Sequence, residues 1–285
     1  MSKKNYAIVG VAGYVAPKHM KAIKDVGGNL VAALDPHDSV GVLDSHFPDC
    51  QYFSEFERFD RFCSKTDIDY VAVCSPNYLH DAHCRFSLRI GASPICEKPL
   101  VLNERNLDGL QEMEEQYGKK INTILQLRLN TDLIALREKI QSGVIIDNDP
   151  SLTYYTPRGD WYKYSWKSNK EKSGSIVFNI GIHLFDMLQW IYGEPISYEI
   201  TNIIQNETIQ GKLYCDSANV NFELSINKHN EPIRTLTLDG YSYSFTKGFT
   251  NLHTKSYQEI LEGNGFGIED VRTSIRICEK LREYY

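Results

Sequence analysis

Short apolar runs alternate with longer amphipathic stretches through the first part of the chain. Residues 6–10, 30–34, 70–74, 94–96 and 121–127 are nearly continuous in apolar side chains, the pattern of strands buried on both faces. Between them, residues 17–26, 53–64, 80–89 and 103–117 read as helices, the second rich in aromatics and the last strongly polar. Residues 6–34 make one β-α-β unit of about 30 residues, the length a parallel crossover needs. Strands and helices in this rhythm predict a doubly wound parallel sheet.

The rhythm changes near residue 122. A helix over 131–140 precedes a strand-like stretch at 151–156 and a polar, aromatic segment that runs to Gly174. Residues 196–247 hold alternating β-prone segments, among them 218–226 and 234–238, which suit an antiparallel sheet with one buried face. Residues 268–282 space their apolar positions as a closing helix. The chain therefore reads as α/β in two domains, residues 1–122 and 123–285.

With 285 residues, 42% apolar and 24% charged, the composition is that of an ordinary globular protein. The net charge of −6 is spread along the chain, and no Lys/Arg stripe marks a nucleic-acid surface. No apolar run approaches the ~18 residues of a membrane span. The first residues lead straight into a strand and lack a signal-peptide core. Seven scattered cysteines without a C-x-x-C pair argue against a disulfide framework or structural zinc and for a reducing cytoplasm.

Candidate chemistry gathers at strand ends. Gly10-Val11-Ala12-Gly13-Tyr14-Val15-Ala16 stands between the first strand and the first helix. Small residues there let the backbone approach a pyrophosphate while the helix N-terminus points amides at it. The spacing is G-x-x-G-x-x-A, a departure from G-x-G-x-x-G. Asp35 closes the second strand, where a carboxylate accepts hydrogen bonds from an adenosine ribose and repels a ribose phosphate, favouring NAD over NADP. Ser75-Pro76-Asn77 follows the third strand on the same carboxyl edge. Glu97-Lys98-Pro99 follows the fourth, and the proline restricts Lys98 to an extended or turn geometry. Such a lysine is either a catalytic group or a solvated charge. His80 and His83 share a helical face but lack companions for a zinc site, so no metal is expected.

Two further stretches stand out. In Asn179-Ile180-Gly181-Ile182-His183-Leu184-Phe185-Asp186, His183 and Asp186 are helical neighbours, and a carboxylate there can orient the imidazole or keep it basic. The alternative is a satisfied core histidine. Arg158-Gly159-Asp160-Trp161-Tyr162 and Ser165-Trp166-Lys167 combine rings with cations. They suit a nucleotide-sugar, or they pack as a loop over the second sheet.

These landmarks, in this order, resemble the glucose–fructose oxidoreductase / inositol dehydrogenase (Gfo/Idh/MocA) family. The carrying features are Gly10 to His19, Ser75-Pro76-Asn77 with His80, Glu97-Lys98-Pro99, and Gly181-Ile182-His183 with Asp186. The resemblance implies an N-terminal Rossmann domain and a C-terminal α/β domain with an open, mostly antiparallel sheet, with a nicotinamide site between them. The strings from Val11 to Met20, Leu34 to Gly41, Asn77 to His83, Arg158 to Tyr162 and Gly248 to Thr254 are similar to one branch. That branch comprises the UDP-N-acetyl-2-amino-2-deoxy-D-glucuronate dehydrogenases, which oxidise the sugar at C3 in bacterial surface polysaccharide (O-antigen) synthesis. The branch more usually carries Ser-Gly-Gly where this chain has Ser173-Gly174-Ser175, and this chain is somewhat shorter.

The resemblance also implies roles. His183 is the expected base, Lys98 the group that polarises the same hydroxyl, and Asp186 the partner that tunes His183. Asn77 and His80 are expected to position the nicotinamide ribose or ring. Gly10, Ala12, Gly13, Tyr14, Val15, Asp35, Ser75, Pro76, Glu97 and Lys98 complete the expected NAD set. Arg158, Trp161, Tyr162, Lys167, Ser173 and Asn179, with Lys98 and His183, are the candidates for the UDP-sugar. A cytoplasmic homodimer or homotetramer is implied, as is reoxidation of NADH in place by 2-oxoglutarate in some members. Two other readings share the fold: an NAD-dependent glycosidase or other sugar dehydrogenase, and a non-enzymatic NAD or sugar sensor.

Overall fold

A computed structural model describes residues 3–245 and 251–285. The chain divides into two compact units, Met1–Ile124 with Asn251–Arg272, and Leu125–Thr250 with Thr273–Tyr285. The expected boundary near 122 lies beside the first crossing. The return of residues 251–272 to the first unit adds crossings that no linker composition marks.

The first unit is built on β1 (Asn5–Val9), β2 (Asn29–Leu34), β3 (Gln51–Phe53), β4 (Tyr70–Val73), β5 (Ser93–Cys96) and β6 (Asn122–Thr123). Their order is β3-β2-β1-β4-β5-β6, and every pairing is parallel. The order reverses between β1 and β4, and ligands of such sheets bind outside the carboxyl ends at that point. The helices Ala16–Asp25, His80–Arg89 and Arg105–Tyr117 lie where the periodicity predicts them. Two stretches differ. Residues 53–64 split into the end of β3 and a helix, Phe56–Cys63. Of residues 121–127 two pair as β6, and Gln126–Leu129 forms a 3-10 turn. An apolar run does not distinguish a strand from a buried turn.

The core of this unit joins Tyr6, Ile8, Met20, Ile23, Leu30 and Ile95 to Tyr257 and Ile260. The last two come from the helix Leu252–Glu262, which buries Leu252, His253, Ser256, Tyr257 and Ile260 on one face. Residues 248–250 of the string that precedes this helix lie outside the described residues.

The second unit is built on β7 (Ser151–Tyr155), β8 (Pro195–Ile204), β9 (Thr208–Cys215), β10 (Asn219–Ser225), β11 (Ile233–Leu238) and β12 (Tyr241–Ser244). The order is β12-β11-β7-β10-β9-β8. The β7–β10 pair is parallel and the others are antiparallel. Val220, Phe222 and Leu224 alternate inward along β10, and Phe222 meets Phe185 edge-on at 5.3 Å. Phe185 belongs to the helix Ile182–Tyr192, so the largely apolar character of that helix follows from its burial on the sheet. All seven cysteines are free thiols. No described helix is long and apolar enough to cross a membrane.

Candidate active site

Gly10 is the position the first loop cannot vary. Its φ is +85°, and a Cβ there would lie 2.6 Å from the Cys74 carbonyl carbon and oxygen and 2.7 Å from the Ser75 amide nitrogen. The end of β1 therefore runs against the end of β4 with no room for a side chain. Gly10 N–H donates to Leu34 O at 2.8 Å, and Gly13 N–H closes the turn on Gly10 O at 3.0 Å. The helix that follows has Pro17 in its first turn and no acidic residue there. Asp35 locks this loop: Oδ2 accepts from Ala12 N–H and Oδ1 from His37 N–H, both at 3.0 Å. Each oxygen retains lone-pair capacity for a hydroxyl donor. A glycine-lined turn, a helix whose first turn carries no acidic residue and an oriented carboxylate fit the diphosphate and ribose of a dinucleotide. Tyr14 is 88% exposed, with Lys18 Nζ 5.9 Å from its ring centre, whereas Val15 packs on the core.

Buried imidazoles tie down the ends of β4 and β5. Ser75 Oγ lies 2.8 Å from His83 Nδ1. His80 Nε2 lies 2.8 Å from Ser75 O, and its Nδ1 lies 2.6 Å from Pro99 O. Both partners of His80 are main-chain acceptors, so a neutral ring donates to one of them and only an imidazolium donates to both; the ring lies between the loop after β4 and the segment after β5. Burial lowers the His80 pKa, and the two carbonyls offset only part of that shift. The sequence reading assigns this ring to the nicotinamide; in the structure its nitrogens are engaged by the backbone.

Glu97 is similarly turned to the interior. Its Oε1 lies 3.0 Å from His19 Nε2 and 3.0 Å from His253 Nε2, and His19 Nδ1 lies 2.8 Å from Tyr257 Oη. Burial opposes ionisation of Glu97, but the hydrogen bonds from His19 and His253 carry its pKa well below the usual carboxylate range. Burial lowers the His19 pKa. The ligating atoms of His19, Glu97 and His253 lie within 4.8 Å of one another. Their hydrogen bonds satisfy them without an ion. Sequence reasoning missed this cluster because its members are 78 and 156 residues apart. Lys98 follows directly, half-buried, and its bond to Pro99 is cis. Asn77 is buried in the turn after β4.

In the second unit, His183 is half-buried in a helical turn whose neighbours Ile182 and Leu184 to Leu188 are all buried. That contrast sets it apart from a core histidine. A π-helical turn, Val177–Gly181, leads into this helix and carries Asn179. Asn179 Nδ2 donates to Tyr162 Oη at 2.9 Å. Burial raises the Tyr162 pKa, against the Asn179 hydrogen bond and the Arg158 charge. Asp186 is 2% exposed and receives Arg128 Nη2 at 2.7 Å and Arg128 Nε at 3.1 Å. Its charge, which the sequence reading assigns to tuning His183, is thus balanced by an arginine that reading did not single out. Arg128 sits in the 3-10 turn where a strand was expected.

Arg158 and Lys167 form a cationic pair. Arg158 is anchored through its own N–H to Ile226 O at 2.9 Å, while its side-chain Nε is buried without a hydrogen-bond partner among the described residues. Lys167 Nζ lies 5.6 Å from the Trp161 ring centre and 5.7 Å from that of Trp166. Burial and then the Arg158 charge lower the Lys167 pKa. A buried guanidinium nitrogen without a partner among the described residues, and a lysine whose ammonium the Arg158 charge disfavours, beside a half-exposed indole make a site that an anion would relieve. Ser173 is fully buried and donates from Oγ to Asn169 O at 3.0 Å, while Ser175 N–H donates to Ser173 Oγ at 3.0 Å. Ser175 has φ +67°, a conformation that favours glycine.

Two family models match the chain. One, described as an oxidoreductase family with an NAD-binding Rossmann fold, covers residues 4–124, and its companion C-terminal alpha/beta domain covers residues 151–225. The chain is similar to the WlbA (WbpB) dehydrogenase of Thermus thermophilus, solved in complex with NAD and alpha-ketoglutarate. Identity is 39% over 98% of this chain and 94% of that one, with a TM-score of 0.94. A second structure of that enzyme, in complex with NAD and UDP-GlcNAcA, matches at 38% identity and a TM-score of 0.93, with the same coverage. The chain is also 27% identical over 237 residues to the 2,7-anhydro-N-acetylneuraminate hydratase of Mediterraneibacter gnavus, a match spanning 80% of this chain and 60% of that protein. It is 27% identical over 201 residues to the inositol 2-dehydrogenase of Rhizobium meliloti, spanning 67% of this chain and 56% of that protein.

Proposed function

The chain belongs to the Gfo/Idh/MocA oxidoreductase family, and from that premise we propose that it oxidises the C3 hydroxyl of UDP-N-acetyl-2-amino-2-deoxy-D-glucuronate (UDP-GlcNAcA) with NAD. The observation that carries the substrate class is the Arg158–Lys167 pair with its unpartnered guanidinium nitrogen. A neutral polyol such as inositol offers hydroxyl acceptors to such a pair but no negative charge. A uronate carboxylate or a diphosphate supplies the anion, and Trp161 a surface for a base or sugar ring.

Oxidising a secondary alcohol removes a hydride from carbon and a proton from oxygen. NAD, when bound, supplies the hydride acceptor; the Gly10–Gly13 loop and Asp35 hold its diphosphate and ribose. His183 takes the hydroxyl proton, and Lys98 hydrogen-bonds the same oxygen as negative charge develops on it. Asp186, already neutralised by Arg128, supports the helix that carries His183 and does not receive the proton.

The test is incubation with NAD and UDP-GlcNAcA, with and without 2-oxoglutarate, followed by absorbance for NADH and mass spectrometry for a 3-keto sugar. Absence of both at enzyme concentrations comparable to substrate refutes the reading. Cleavage of the sugar without net NADH would favour the glycosidase alternative. Lys98→Met and His183→Asn should each lower turnover at least about 100-fold while NAD still binds.

A further inference from the structure

Lys98 stands between two residues that buried imidazoles hold in place. On one side the Glu97 carboxylate lies 3.0 Å from both His19 and His253. On the other, Pro99 O lies 2.6 Å from His80 Nδ1. The four anchoring side chains come from distant parts of the first unit. His19 lies in the helix that follows the glycine loop, His80 in the helix after β4, and His253 and Tyr257 in the returning helix Leu252–Glu262.

We propose that His19, His253 and Tyr257 are positioning residues for Lys98: they fix the Glu97 carboxylate, and so the backbone from which the Lys98 side chain leaves. The hydrogen bonds close without charging either ring. His19 donates Nε2–H to Glu97 and accepts Tyr257 O–H at Nδ1, and His253 donates Nε2–H to the same carboxylate oxygen. Glu97 is 7% exposed, so rotating its carboxylate away from these donors would leave a buried, unpaired anion. The geometry of Lys98 is thereby coupled to the returning helix, and to the helix whose N-terminus faces the glycine loop. An ion at the same three atoms would require both Nε2 atoms to be deprotonated. The 3.0 Å separations are those of N–H···O bonds.

The inference rests on the reading of Lys98 as the group that meets the reacting hydroxyl, so its test includes a measurement that needs no sugar. Lysines of the full chain are reductively methylated with a 13C label, and the Lys98 resonance is identified by its absence in Lys98→Arg. In His253→Leu this resonance should shift and broaden; in His253→Gln, which keeps a donor, it should return. With UDP-GlcNAcA, His253→Leu should lower kcat about tenfold to a hundredfold, the scale of a displacement near one ångström, with NAD affinity held within about threefold. His253→Gln should recover most of that loss. If His253→Leu does not fold, Tyr257→Phe, which removes one oxygen atom, decides by the same readouts. A Lys98 resonance and a kcat indifferent to the variant that folds overturn the proposal, as does stoichiometric zinc whose removal abolishes activity. Failure of sugar oxidation by the wild type, with the Lys98 resonance responding as expected, defeats the proposed function and leaves the positioning network standing.

Discussion

Gly10→Ala is the sharpest test of how the cofactor edge is built. The added methyl would lie 2.6 Å from two backbone atoms of Cys74 and 2.7 Å from the Ser75 nitrogen. Backbone atoms cannot swing aside as a side-chain tip can, so the ends of β1 and β4 must part by most of an ångström. Cys74 N–H to Val9 O and Gly10 N–H to Leu34 O, both 2.8 Å, resist that movement. Holding alanine at φ +85° costs about 1–2 kcal/mol, and weakening the two hydrogen bonds adds about 1 kcal/mol each. A loss near 3 kcal/mol corresponds to roughly 6–12 °C in melting temperature for a unit of this size. The control is Gly41→Ala, where an added Cβ meets nothing within 4 Å and φ is unexceptional. Differential scanning fluorimetry with and without NAD reads both effects. Gly10→Ala should melt well below Gly41→Ala and gain less from NAD, because the loop that would receive the diphosphate has moved. Equal melting temperatures and equal NAD-induced gains in the two variants would refute the close-approach account.

Asp186→Asn should destabilise the second unit by about 3–5 kcal/mol, because it removes the counter-charge that faces the buried Arg128 guanidinium. The double variant Arg128→Met/Asp186→Leu should recover most of that in urea titrations, and a double variant no more stable than the single one contradicts the pairing. At Ser175, φ +67° predicts that glycine will be more stable than alanine by about 1 kcal/mol, the reverse of the order in a helix or strand. Melting of the two variants checks that inversion. Burial, with a smaller contribution from His80, holds the His83 pKa down at about 4. An unfolded imidazole protonates below about 6.5, so between those limits the unfolded chain binds more protons and stability falls as pH falls. Over the whole window His83 alone accounts for up to ~3 kcal/mol. His83→Gln should flatten the decline of the urea midpoint between pH 6.5 and 4, and an unchanged slope refutes the assignment.

The parallel sheet was legible because each strand is a short apolar run buried on both faces and each crossover carries a helical period. The alternating second sheet was legible for the corresponding reason. Elements whose burial is local escaped. Residues 121–127 read as a strand because Ile124 and Leu125, which lead into the 3-10 turn, and Leu127 within it are all buried. The helix Leu252–Glu262 mixes His253, Ser256 and Tyr257 into its buried face and so lacks a clean apolar stripe. Among the candidate residues, Gly10, Asp35 and the segment after β5 are local signals, each readable from its own strand end. What His80 and Glu97 do depends on partners that sequence spacing does not bring together. Ser175 is an intermediate case, since a departure from glycine was visible but its left-handed backbone was not.

The two half-buried groups assigned to chemistry share a feature that bears on the proton. Lys98 is one residue from Glu97, and His183 is three residues from Asp186. Either carboxylate, read from sequence alone, is a candidate proton acceptor. Inside the protein each has been given counter-donors: two imidazoles for Glu97 and a bidentate guanidinium for Asp186. A carboxylate satisfied in this way is a poor base, because protonating it would break hydrogen bonds and strand its donors. The acids beside the candidate groups therefore hold backbone and helix in place, and the imidazole of His183 is left as the better acceptor in the proposed oxidation. A residual turnover in His183→Asn that fell further with Asp186→Asn, at unchanged folding, would place the proton on the acid and reverse that assignment.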